Sequence, residues 1–511
     1  MYLRSTKRQN RDGSTVEYYA LAENAWNNKA KRSETKVIHS FGRADKLDRD
    51  VLERLTQSIR RVLVDGGIDQ AAANGEPVQV ADILIERVHD LGVVHVAKAM
   101  WEKLGIGAAI QKYVREKKLK APHEAALLTM AAQRLDRPGS KLACHERWLD
   151  RVWLPEAKDL GLYQLYRAMD ILAEHGDAIE GEVFWNSADL FKLDVDLIFY
   201  DATTAWFATD DEDVSSYTWK GLKFEPLRKR GHSKEGRDND PQVIIALAVT
   251  REGIPVRSWI FPGNTSDVTT VAKIKDDLRG MRLGRTLFVG DAGMYSAANL
   301  KELSKGAGRY ILCLNEDEAD RQKWRRAEIL KTLEATLKSL KKDHPKAACH
   351  LVASKRYGRY LSLDDNGRPH LDRDKIKRAE HLDGKFVLTT NDDTLSVADI
   401  ALGYKGMWII ESCFRKMKTT GLEVRPMFHW MPQRITAHVK LCVLSLMIQR
   451  AVELQTEMTW SNIQTILDGL KAVTYRTEKQ AIVQTINLTK PAAEILKKLN
   501  ITKPKTILSI S

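Results

Sequence analysis

The chain has 511 residues, 43% of them hydrophobic, with 81 Lys and Arg against 68 Asp and Glu, a formal charge of +13 and a pI near 9.3. Such a length exceeds what one hydrophobic core serves, so roughly two to four domains are expected, and the excess of base favours a polyanionic partner over a neutral small molecule. The apolar runs VIIALAV (243–249) and LCVLSLMI (441–448) fall short of the about 18 residues of a bilayer span, so no membrane is expected, and five scattered cysteines without a CxxC pair argue against a disulfide framework or a zinc module.

In chain order, residues 1–49 read as a β-hairpin element, with Asp12-Gly13 as the turn between two strand-like segments. The start, MYLRSTKRQN, has bases but no apolar h-region, which points to cytoplasmic residence. Residues 50–190 show apolar positions at three- and four-residue steps in VLERLTQSIRRVL, ADILIERVHDLGVVHVAKAMWEKLG and LYQLYRAMDILAEHGDAIEGEVF, the pattern of a helical region. From 191 to 315 the period changes: LDVDLIFYDATTAWF, VIIALAVT and IPVRSWIF read as strands, then helix (VTTVAKIKDDLRGM), strand (RTLFVG), helix (SAANLKELSKG) and strand (RYILCL). The order is βββαβαβ. Residues 316–382 lose the sheet pattern and read as an inserted subdomain, and it resumes at KFVLTT within a segment, 383–455, whose SVAD (396–399) is a capping-box-like helix start. Residues 456–511 read as a C-terminal helical tail.

Asp201 ends the first strand in FYDAT and Asp291 ends a later one in FVGDAG, and ligands of open α/β sheets collect at the carboxyl ends of strands. In YKGMWIIESCFRKMK (404–418), about 100° per residue puts Tyr404, Glu411, Arg415 and Lys418 on one face of a single helix, opposite Ile409, Ile410, Cys413, Phe414 and Met417. If that helix packs beside the sheet, three carboxylates meet, and hard oxygen donors with open positions suit two Mg²⁺ or Mn²⁺ ions acting on a phosphodiester. The linker after the first strand holds Lys220, Lys223, Arg228, Lys229, Arg230, Lys234 and Arg237, read as mostly lacking acid partners and able to reach a phosphate backbone. The run Asp210 to Asp213 reads as solvated loop, and His438 as a packing residue.

These elements and acids resemble the RNase H-like catalytic core of DDE transposases from bacterial insertion sequences. FYDATTAWF, GHSKEGRDNDPQ (231–242), FPGNTSD (261–267), GDAGMYS (290–296) and RPMFHWMPQRITAHVKL (425–441) share in the likeness, and 404–418 is similar to the YREK signature of the cut-and-paste branch, with Tyr404, Glu411 and Lys418 in place and Met407 where the family has arginine. The resemblance implies an α/β fold in which a mixed sheet flanked by helices is interrupted by the insertion and preceded by a helical region, 50–190, that grips DNA ends. It implies Asp201, Asp291 and Glu411 as metal-binding catalytic residues, with Tyr404, Lys418 and, in place of the missing arginine, Arg415 on phosphates; Arg230, Lys234 and Arg237 are expected on DNA from the charge of the linker alone. Trp324 is the insertion's candidate aromatic for managing the DNA end. The partners implied are transposon-end and target DNA, and a second copy in a homodimeric synaptic complex. Two rivals stay open: a catalytically silent DNA-binding relic or domesticated protein, and a related nuclease without strand transfer.

Overall fold

A computed structural model describes residues 2–9, 15–27, 32–46, 50, 53–54, 56–57, 84–314, 319–339, 350–354, 356–381, 383, 385, 387–419, 421–476 and 480–511. They fall into two compact units: one of residues 1–195, 202–265 and 409–511, the other of residues 196–201 and 266–408.

At the front, β1 (Tyr2–Gln9), β2 (Thr15–Asn27) and β3 (Arg32–Arg43) form an antiparallel sheet, one strand more than a hairpin. The Asp12-Gly13 turn and most of VLERLTQSIRRVL lie outside the described residues. β4 (Leu84–Asp90) corrects the expectation of helix for ADILIERVHD, and after it come the helices α1 (Gly92–Lys103), α2 (Ile106–Glu116), α3 (His123–Asp136) and the 30-residue α4 (Leu162–Phe191). The reason is non-local. β4 pairs antiparallel with residues 471–476, and no helix-period count can see a partner that far along the chain.

β5 (Leu197–Trp206) is buried on both faces, as its continuous apolar centre requires. The short hairpin β6 (Tyr217–Trp219) and β7 (Leu222–Phe224) occupies the basic linker. Then come β8 (Gln242–Thr250), β9 (Pro255–Pro262), α5 (Asp267–Gly280), β10 (Leu287–Gly290), α6 (Ala297–Ser304) and β11 (Arg309–Cys313). With the linker hairpin set aside, the observed order is βββαβαβ.

Between β11 and its neighbour in the sheet the chain makes α7 (Ala319–Ser339), the hairpin β12 (Leu361–Leu363) and β13 (Pro369–Leu371), and α8 (Arg373–Glu380). These elements have a core of their own in Ile329, Leu333, Tyr360 and Leu361. The buried Arg326 guanidinium on α7 grips the carboxylate of Asp383 with both terminal nitrogens, closing the segment on itself. β14 (Leu388–Thr390) then pairs antiparallel with β11, and the Leu314 amide donates to the Val387 carbonyl at 2.8 Å, so both ends of the segment leave the sheet side by side.

The second unit thus has strand order β14-β11-β10-β5, using the first half of β5, with β5, β10 and β11 parallel and β14 antiparallel. α9 (Val397–Lys405) starts at Ser396, whose hydroxyl accepts the Asp399 amide. It lies on this sheet through small residues: a methyl on Gly406, just past its end, would stand 2.3 Å from Cζ of Phe199, and one on Gly403 would stand 3.1 Å from Ile311. Gly406→Ala is therefore expected to cost about 1–3 kcal/mol through overpacking. Urea unfolding checks this, and an unshifted midpoint would refute the close approach.

In the first unit, β8 and β9 pair antiparallel, and α10 (Trp408–Lys418), joined to α9 by a turn at Gly406–Met407, buries Ile410, Cys413, Phe414 and Met417. α11 (Pro432–Thr456) is apolar nearly all round and packs against α3, α4 and β9. It is long and apolar enough to cross a membrane, yet 89% of the relevant window is buried inside the protein, as a core helix would be. The helical tail also needs correction. α12 (Trp460–Leu467) and α13 (Lys490–Lys498) alternate with β15 (Lys471–Arg476), β16 (Ala481–Ile486) and β17 (Ile507–Ile510), in a sheet of order β17-β16-β15-β4. The β-branched runs AVTY and AIVQTI carried that strand signal.

Candidate active site

β5 and β10 are adjacent parallel strands, with Val289 opposite Phe199. Two residues further along each chain come Asp201, still in β5, and Asp291, which immediately follows β10 and caps the short 3-10 turn Ala292–Met294. Alternation along a strand returns every second side chain to the same face, so Asp201 and Asp291 follow their paired neighbours on one face; Asp201 does not end its strand as expected, because β5 runs on to Trp206 while β10 stops at Gly290. A third acid, Asp267, opens α5. A methyl on Gly293 would touch Oδ1 of Asp291 at 3.3 Å and Oδ2 of Asp267 at 3.5 Å, which puts both carboxylates around one small space.

This corner is braced from below. The Asn299 amide on α6 donates to the carbonyls of Val268 and Met294, both at 2.8 Å, tying the start of α5 to the turn after Asp291. Thr270 donates to the Asp267 carbonyl at 2.7 Å, and the buried Tyr200 hydroxyl donates in turn to Thr270 at 2.9 Å. Burial first, then the field of Asp267, Asp201 and Asp291, pushes the Tyr200 phenol well above its ordinary range, so it stays neutral. Three carboxylates thus act on one phenol. Their hard oxygens suit Mg²⁺ or Mn²⁺, although among the described residues no group of three or more His, Cys, Asp or Glu side chains stands close enough to cage an ion as it is.

Residues 198–448 match the family model of the transposase DDE domain. No curated relative matches the chain. Among solved structures, a piggyBac transposase synaptic complex with hairpin DNA is similar at 10% identity and TM-score 0.34, over 74% of this chain and 79% of that one. A Mos1 transposase paired-end complex with the left transposon end is similar at 14% identity and TM-score 0.14, over 39% of this chain and 55% of that one.

The stretch matched by that model contains all three acids singled out from the sequence, and Glu411 is an exposed residue of α10 in the first unit, beside the exposed Arg415. The single helix face expected for Tyr404 to Lys418 is not formed: Tyr404, half-buried, belongs to α9, and the turn at Gly406–Met407 separates it from α10. The cause is Gly406, whose missing side chain lets the backbone rest on Phe199. Met407, where the resemblance has arginine, is buried at 8% exposure.

Lys418 donates to Oε1 of Glu235 at 2.6 Å, and Arg425 holds the other oxygen. Burial alone would raise the Glu235 carboxyl, but the two cations outweigh it and hold it below the usual range. The Lys418 ammonium, more enclosed, is lowered by burial despite this partner. Sequence reading missed Glu235 and Asp267; a Ser-Asp pair opening a helix looks like any cap, and Glu235 lies among bases.

The basic linker is largely neutralised, against expectation. Arg228 pairs with Asp213 at 2.7 Å, Lys220 with Glu174 at 2.6 Å, Lys223 with Glu225 at 2.9 Å, Arg230 with Glu212 at 3.8 Å and Arg237 with Asp240 at 3.2 Å. Lys234 donates to the Ala202 carbonyl at 2.6 Å. The run Asp210 to Asp213 supplies two of those partners instead of standing free in solvent. Acids of the linker itself and Glu174 of α4 thus hold these bases in place.

Behind this region a buried cationic cluster fixes the chain entering α11. His438 accepts from the Lys141 ammonium at 2.8 Å through Nδ1 and donates through Nε2 to the Val424 carbonyl at 3.1 Å, while Arg134 donates to the carbonyls of Leu422 (3.2 Å) and Glu423 (2.8 Å). Burial, then neighbouring cations, lowers His429 to about 3 and Lys141 to about 7. An unfolded histidine takes up a proton near pH 6.5, which folded His429 refuses, so stability falls as pH drops below that value. Lys141 gives the same sign above pH 7: the unfolded amine holds its proton until about 10.5, and stability rises with pH in between. The urea midpoint is expected to climb from pH 5 to pH 8, with His429 alone costing about 2 kcal/mol at pH 5. His429→Phe should flatten the acid limb, and an unchanged limb would remove His429 from that role.

Proposed function

We propose that the chain is a DNA transposase of the cut-and-paste kind, which binds the terminal inverted repeats of its element, cleaves the ends and joins their 3′-hydroxyls to target DNA. The observation that carries this reading is the placement of Asp201, inside β5, and Asp291, just past the end of β10, two residues beyond paired positions of adjacent parallel strands, inside a stretch that matches the transposase DDE domain. Glu411 is proposed as the third acid. With two Mg²⁺ or Mn²⁺ ions bound, such carboxylates would support attack by water or a 3′-hydroxyl on a phosphodiester and stabilisation of the leaving oxygen.

The chain's own groups have separate tasks. Asn299, Thr270 and Tyr200 hold the acidic corner rigid, and Tyr200, kept neutral, adds no charge to it. Lys418, Arg425 and Arg237 hold phosphates, with Arg230, Lys234, Tyr404 and Arg415 as further DNA contacts. Trp324, 66% exposed on α7, is free of the core and suits a stacking contact with a displaced base of the DNA end. A homodimer bringing two ends together is part of the same proposal.

The test is a divalent-ion-dependent reaction on DNA carrying the matched repeats that flank the coding region, with target DNA supplied. Cleaved and joined product supports the proposal. Cleavage with no joining would assign a nuclease instead, and binding of the ends without cleavage would assign a DNA-binding relic.

A further inference from the structure

The irregular segment between α10 and α11 has an alternating pattern: Met427 and His429 are buried, while Phe428 and Trp430 are 58% and 53% exposed. The alternation leaves two large aromatic side chains in solvent within three residues, with the buried His429 between them.

The segment cannot readily rotate these rings inward. The His429 ring lies 5.3 Å from that of His438 and meets Tyr166 edge-on at 6.3 Å, and the backbone ahead of it is held by Arg134 and His438. The two rings therefore form a platform that the fold keeps in solvent at a cost in exposed apolar area.

Its surroundings identify the occupant. Phe428 and Trp430 border a cleft of about 660 Å³ whose other walls include Trp206, Arg237, Lys418 and Arg425, with Glu235 as its one acid. The Arg237 guanidinium sits 4.0 Å from the centre of the Trp206 ring, and that of Arg228 sits 5.0 Å from Trp430. Flat apolar faces beside an excess of cations match a nucleobase with its phosphate. In a duplex both faces of each base are covered by stacking, so such a platform serves an unpaired base only.

We propose that Phe428 and Trp430 offer stacking faces to an unstacked base of single-stranded DNA, with the adjoining phosphate on Arg425, Arg237 and Lys418. This goes beyond the cleavage reading and does not depend on it, since binding needs neither the acids nor a metal ion.

The test uses the full chain and two probes, a 12-nucleotide single strand containing 2-aminopurine and the 12-base-pair duplex of the same sequence. Wild type is expected to bind the single strand and quench the probe. The F428L/W430L double variant, which keeps apolar bulk but loses the flat faces, should bind the single strand on the order of tenfold more weakly or worse and lose the quenching, with duplex affinity unchanged. F428Y/W430F should behave as wild type. Equal loss on both probes, or an unaltered single-strand affinity in F428L/W430L, overturns the proposal. So does an oligoglutamate peptide that binds with the same dependence on Phe428 and Trp430, which would assign the cleft to acidic protein segments. Retention of the wild-type melting transition distinguishes lost stacking from lost folding, and F428A/W430A serves as a second variant if the leucine pair fails to fold.

Discussion

Asp291→Ala, and likewise Asp201→Ala, is expected to abolish DNA cleavage while leaving end binding intact. Asp291 stands just past the end of β10, next to Asp267, and Asp201 stands inside the neighbouring strand β5, both in the acidic field around Tyr200. Removing a ligand from such a site takes away several kcal/mol of charge stabilisation at the phosphate, or on the order of a thousandfold in rate. The proposed DNA contacts are cations and aromatic rings elsewhere, so a gel-shift affinity should move by no more than about twofold, the scale of a surface substitution of about 0.5 kcal/mol. Glu411→Ala belongs in the same series. Full cleavage by any one of the three would strike that residue from the catalytic set, and loss of end binding in parallel with cleavage would point to a folding defect.

Lys440→Ala carries the second large effect, on stability. Lys440 on α11 donates to Glu180 on α4 and to the Ser258 carbonyl on β9, each at 2.8 Å, with Asp177 at 2.6 Å. Ser258 returns two bonds to the Glu180 carboxylate, and Gly176, one turn before Glu180, leaves room for the lysine stem. Burial raises the Glu180 carboxyl even so, which shows how dry the site is. Deleting one member strands the other in that setting and should cost about 3–5 kcal/mol, measured as the loss of unfolding free energy in urea. The Lys440→Met/Glu180→Leu pair should recover most of it, since apolar replacement of the whole pair removes the desolvation cost on both sides. A single variant that melts with wild type would show that water reaches the pair.

Much of this was legible in the residues. The strand run before Asp201 and the strand end at Asp291 are local signals, and so is the Ser396 cap. What escaped was set by distance. β4 looks helical until β15 pairs with it, and Arg228, Arg230 and Lys220 look free until acids 15 to 46 positions away claim them, whereas the partners of Lys223 and Arg237 lie two and three residues off. The break between α9 and α10 escaped because the demand on Gly406 comes from Phe199, which lies over two hundred residues earlier. Phe428 and Trp430 were quoted in a motif, yet their outward aim follows from buried anchors beneath them and not from spacing.

The segment between β11 and β14 enters and leaves through neighbouring antiparallel strands, joined at Leu314 and Val387, and carries its own apolar centre. Such a two-stranded neck makes it a cassette. Evolution could lengthen, shorten or exchange it without redrawing the acidic corner, so the two can diversify on separate schedules.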